Sequence, residues 1–141
     1  MNPSLKITVH DPDPDYLGIE IAVASERFAG TTRIYAGIGD LSAFASNIEG
    51  FPTSPSDERV QIFGSQEHGI AGGYARFRFY CFDASGSSGV QVTIEDDDQW
   101  HTAGSASFEF QVYAAALDQF VARLRAVESQ KAGEAILGTA V

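Results

Sequence analysis

LSAFASNI at residues 41–48 and LDQFVARL at residues 117–124 carry the same apolar stripe. Leu41, Phe44 and Ile48 stand at i, i+3 and i+7, and Leu117, Phe120 and Leu124 repeat that spacing. At 3.6 residues per turn these positions share one helical face, so each segment predicts a helix that buries one side. Each also follows runs of alternating apolar residues, the period of a half-buried strand. The chain reads as strands-then-helix, written twice.

Outward from the first stripe, Leu5, Ile7 and Val9 face one way and Lys6, Thr8 and His10 the other. Pro12 and Pro14 in DPDPD end that strand, because proline cannot extend a ladder. Leu17, Ile19, Ile21 and Val23 alternate in a second strand; Arg27 to Tyr35 forms a third, with Gly30 as a bulge. Asp40 is placed to cap a helix over Leu41–Glu49, and Gly50, Phe51 and Pro52 supply its exit, cover and stop. Val60 and Ile62 mark a short strand, and GSQEHGIAGG at 64–73 a flexible connection.

Before the second stripe, YARFRFYCFD at 74–83 is the strongest strand signal. Ala75, Phe77, Phe79 and Cys81 point one way; Tyr74, Arg76, Arg78, Tyr80 and Phe82 point the other. Val90, Val92 and Ile94 alternate next, then Phe108, Phe110 and Val112, before a helix over Tyr113–Ser129. The small-residue tail, 129–141, is expected to be poorly ordered. Clean alternation means one apolar and one polar face, the antiparallel pattern with helices on one side. The expected fold is therefore α+β: a two-layer sandwich, a mainly antiparallel sheet of about seven strands with two helices on one face. One domain would span 1–141, with its core at about 5–128.

Of the 141 residues, 44% are hydrophobic, enough for a sizeable core. The net charge of −10 and the absence of a Lys/Arg cluster speak against nucleic acid. No apolar run approaches the ~20 residues of a membrane helix. MNPSLKITVH lacks a secretory pattern, and the single Cys81 fits a reducing compartment, so the cytoplasm is the expected location.

Chemistry-bearing patterns are sparse. His10, His68 and His101 are scattered and one cysteine cannot build a structural zinc site, so neither metal nor cofactor is expected. HGIAGG would need a G-x-S-x-G nucleophile elbow that the chain lacks. Asp11, Asp13 and Asp15 have calcium-loop spacing, but Tyr16 replaces the required glycine and Ala22 the bidentate glutamate, leaving a solvated turn. Cys81 reads as a small buried hydrophobe.

Two surfaces remain. Glu95, Asp96, Asp97 and Asp98, followed by Trp100, could dock a cationic partner or hold a divalent ion loosely; the plainer alternative is a solvated hairpin loop. Tyr74, Arg76, Arg78 and Tyr80 form a stripe of residue types that carry binding energy; the plainer alternative is cross-strand pairing of the arginines with Glu95 and Glu109.

The order of these pieces resembles a small uncharacterised bacterial domain family that includes immunity proteins of the WapI type. The resemblance rests on GDLSAFASNIEGFP, with Leu41 and Phe44; on YARFRFYCFDASG; and on SFEFQVYAAALDQFVARLRAV, with Leu117, Asp118 and Phe120. It covers about residues 5–128 and implies a non-enzymatic cytoplasmic protein that binds and neutralises a toxin domain. An acidic inhibitor would gain association rate against a basic toxin. The alternative is a small-molecule-binding or enzymatic domain with a pocket between sheet and helices.

Overall fold

The computed structural model describes residues 2–67, 72–96 and 103–138. Along them run β1 (Ser4–Pro12), β2 (Leu17–Ala24), β3 (Ala29–Ala36), α1 (Asp40–Ile48), β4 (Arg59–Gly64), β5 (Gly73–Cys81), β6 (Ser88–Asp96), β7 (Gly104–Val112), α2 (Ala114–Gln130) and β8 (Glu134–Gly138). The strands form two four-stranded antiparallel sheets, ordered β3-β2-β1-β8 and β4-β5-β6-β7.

The chain is α+β with two helices, but the single sheet of about seven strands is corrected to eight strands in two sheets among the described residues. Alternation reports that one face of each strand is buried and is silent about which strands share a ladder. The partition follows from two exchanges. After α1, β4 leaves the first meander and pairs with β5; after α2, β8 returns to pair with β1. Each unit of three strands, a helix and a strand thus donates its last strand to the sheet of the other. The tail expected to be poorly ordered supplies β8, whose Ala135 and Leu137 are fully buried against β1.

The helices follow their stripes. Leu41, Phe44, Ala45 and Ile48 of α1 are buried, as are Leu117, Phe120, Val121, Leu124 and Val127 of α2. Phe44 stacks on Phe77 of β5 with ring centroids 5.2 Å apart and meets Phe120 edge-on at 5.7 Å. Offset-stacked and edge-to-face rings add about 0.5–1.5 kcal/mol per pair beyond the burial itself. The buried side chains of both sheets and both helices form one apolar cluster. Strand β3 crosses the end of the second sheet. There Thr32 Oγ1 donates to Glu95 O at 2.8 Å, and a Cβ on Gly73 would stand 2.9 Å from Arg33 O, so only glycine admits the approach.

Local expectations are corrected at three points, and β4 gains a facing that the sequence left open. Asp40 is the first helical residue rather than the cap; Gly39 holds the cap position, and the Asp40 carboxylate accepts from Gly37 N at 2.8 Å. Strands β2 and β3 pair without a slip at Gly30; the bulge lies in β1 between Val9 and Asp11 and lets that strand run on to Pro12. Cys81 is half-buried, its thiol 3.6 Å from Ser54 O. Strand β4 turns Val60 and Ile62 outward and Phe63 inward.

A candidate protein-binding face on the second sheet

One face of the β4–β7 sheet is buried in the common core, through Phe77 and Phe79 of β5. On the other face β5 carries Arg76, Arg78 and Tyr80 in a row, all half-buried. Register sets their neighbours: Arg76 lies between Ile62 and Thr93, and Arg78 between Val60 and Gln91. Tyr74, at the head of the row, is buried at 9% exposure and offers a partner little area.

Arg78 organises the centre. Its Nε donates to Glu58 Oε1 at 3.1 Å, its Nη1 to Gln91 Oε1 at 2.9 Å, and its guanidinium lies 4.6 Å from the Tyr80 ring centroid. Guanidinium over an aromatic ring is a cation–π contact, and the hydrogen bonds fix its plane. Tyr80 Oη donates to Glu109, which also accepts from Gln91 Nε2 at 3.0 Å. Burial, then the Glu109 hydrogen bond, pushes the Tyr80 phenol up to about 12. The same hydrogen bond, with that from Gln91, lowers the Glu109 carboxyl. The pairing expected from sequence is corrected in detail: Arg78 takes Glu58 and Gln91, Glu109 is held by Tyr80, and Glu95 accepts from Gln66 Nε2 at 2.7 Å. Glu58 reaches Arg78 from the loop before β4, outside any ladder, so strand register could not reveal it.

Sequence reasoning missed the apolar flank. Val60 and Ile62 are 37% and 50% exposed beside the arginines. They face out because the other parity of β4 is committed to α1. Arg59 Nη1 donates to Asn47 O and Glu49 O at 3.1 and 2.8 Å, and Gln61 Oε1 accepts from Asn47 Nδ2 at 3.1 Å. The available signal was Arg59 beside Asp57, whose carboxylate it meets at 2.8 Å.

Of the acidic run, Glu95 is half-buried and Asp96 exposed at the end of β6; Asp97, Asp98 and Trp100 lie outside the described residues, as do His68 and His101. Glu95 and Asp96 border a cleft of about 380 Å³ with Ser65, Gln66 and Tyr74, so the acidic end and the head of the β5 stripe are neighbours. Among the described residues no group of three His, Cys, Asp or Glu side chains could hold a metal ion, and no helix is long and apolar enough to cross a membrane. No protein-family model, curated protein or solved structure matches the chain.

Proposed function

We propose that this chain is a non-enzymatic, immunity-like protein-binding module that docks a basic toxin domain in the cytoplasm and neutralises it. The observation that carries the reading is the uncovered face of β4 and β5. There Arg78, fixed over Tyr80, lies beside the exposed Val60 and Ile62. Pre-ordered arginine and tyrosine next to apolar area is the composition of an interface hot spot, because little side-chain entropy remains to be lost on docking. The acidic end at Glu95 and Asp96, within a chain of net charge −10, would steer a cationic partner towards that face. The packing between sheets and helices also favours a surface activity. Among the described residues the buried polar ones are Thr32 and Ser88, whose hydroxyls donate to backbone carbonyls, and the one buried unpartnered polar atom, Glu128 Oε2, belongs to a side chain that holds Leu41 N of α1.

The test is co-expression with the protein encoded beside this chain, reading growth and direct binding. Rescue of growth by the chain and its loss in Arg78→Glu support the proposal. A metabolic enzyme at that locus that neither harms the cell nor binds the chain would remove it.

A further inference from the structure

The two units share strand order and, around Arg33 and Glu109, register, but the outer edges of β3 and β7 are treated differently. In the first, the outer edge of β3 is closed: Gly72 and Gly73 come so near Arg33 that a Cβ on either would stand 3.0 or 2.9 Å from its carbonyl oxygen. The counterpart of Arg33 in the second unit is Glu109 of β7, and the counterpart of Gly73 is Pro3. Pro3 and Glu109 both line a groove of about 500 Å³. Phe28, 71% exposed on the β2–β3 hairpin, and Tyr113 complete its apolar wall; Glu26 and Arg27 stand at the rim.

The floor of the groove is a strand edge. In antiparallel ladders the backbone groups of successive residues point alternately to the two sides. Asn47 donates to Val60 O, so β4 aims Val60 away from β5 and Gln61 towards Phe77. Carried through the registers of β5, β6 and β7, this parity turns the N–H and C=O of Ser105, Ser107, Glu109 and Gln111 away from β6. Among the described residues each other edge carries a contact, from Asn47 to Val60 O on β4, from Arg123 to Glu134 O on β8 and from the close glycines at Arg33 on β3, while no hydrogen bond reaches the outward backbone groups of β7. Uncovered edges are where proteins add a strand from another chain.

We propose that this groove receives an extended segment of the partner protein, which pairs with β7 at Glu109 and Gln111. The segment seats an apolar side chain against Phe28 and Tyr113 and sets a lysine or arginine towards Glu26. Only a polypeptide in β-conformation satisfies alternating backbone donors and acceptors, and the chain's −10 charge selects a basic one. The proposal rests on the protein-binding reading and adds the mode of contact.

The test uses the full chain and a labelled hexapeptide alternating lysine with valine or leucine, followed by amide NMR. Binding should protect the Glu109 and Gln111 amides from exchange at least tenfold and shift Phe28. Gln111→Pro removes only an outward N–H, a position where edge strands accept proline, and should weaken binding at least tenfold; Phe28→Ser should weaken it independently. Absence of binding, binding that leaves the two amides unprotected, or an undiminished Gln111→Pro variant each overturns the groove. Toxin neutralisation that survives Gln111→Pro would overturn the groove alone, whereas peptide pairing without any toxin neutralised would overturn only the immunity reading.

Discussion

Asn47 of α1 and Arg123 of α2 occupy the same station in two related units. Asn47 Nδ2 donates to Val60 O at 2.9 Å, and Arg123 Nη2 to Glu134 O at 3.1 Å. Val60 and Glu134 are in turn matching residues of the two exchanged strands. Each helix therefore holds one outward carbonyl of the strand that follows it. Asn47→Ala and Arg123→Ala should each cost about 1 kcal/mol, and the double variant should lose their sum to within about 0.5 kcal/mol. Urea unfolding of the three variants measures this; a larger coupling would mean that the two contacts are not independent.

Arg59 ties α1 to β4. It donates to the carbonyls of Asn47 and Glu49, pairs with Asp57, and lies 5.5 Å from the Phe51 ring centroid. Truncation leaves helix-end carbonyls and a carboxylate without their donor. Arg59→Ala should cost about 2–4 kcal/mol by denaturant unfolding. A loss below about 0.5 kcal/mol would show that water replaces the guanidinium freely.

Asp57 gives this tie a pH dependence. Its hydrogen bond from Arg59 and those from Thr53 hold the carboxyl down at about 2, against an ordinary 3.8. A carboxyl lowered by folding stabilises the native state above its unfolded pKa, and that contribution fades as pH falls. Stability should therefore drop between pH 3.8 and about 2 through this group. Carboxyl NMR should find Asp57 titrating at about 2, and Arg59→Ala should raise its midpoint.

Glu128 caps α1 from another helix. Its Oε1 accepts from Leu41 N at 3.1 Å, while its Oε2 is buried with no hydrogen-bond partner among the described residues. The orphan N–H groups of a helix start favour a carboxylate there. Glu128→Ala should cost about 1–2 kcal/mol, the range of a lost cap. Exchange protection lost first at the start of α1 would separate this effect from general weakening of α2.

Ile62 should separate binding from folding. Half-exposed on the outer face, it can accept a charge at a cost within about 0.5 kcal/mol. Ile62→Lys should nonetheless weaken toxin binding at least about tenfold, near 1.4 kcal/mol. Unchanged titration-calorimetry affinity would move the interface off this face.

The helices and seven of the strands were legible because single-face burial writes itself into spacing. Leu41/Phe44/Ile48 and Leu117/Phe120/Leu124 are all buried as the stripes predict. Strand β8 was not, since five residues with two buried positions, Ala135 and Leu137, leave almost no periodic signal. The assignment of strands to two sheets was hidden because it depends on where β4 goes after α1, a long-range pairing that local pattern does not encode. On the candidate face, Arg76, Arg78 and Tyr80 were read correctly as one outward row, whereas Tyr74 is nearly covered. The outward facing of Val60 and Ile62 was not legible, because local pattern does not show that the other side of this short strand is tied to a helix through Arg59.

Because β1 finds its outer neighbour in β8, the opening strand of the first unit is among the last to be completed. At roughly 5–20 residues per second, a ribosome leaves that strand waiting on the order of ten seconds for its mate. A nascent chain halted before Glu134 would present β1 as a bare template, open to chaperones and to stray strands alike.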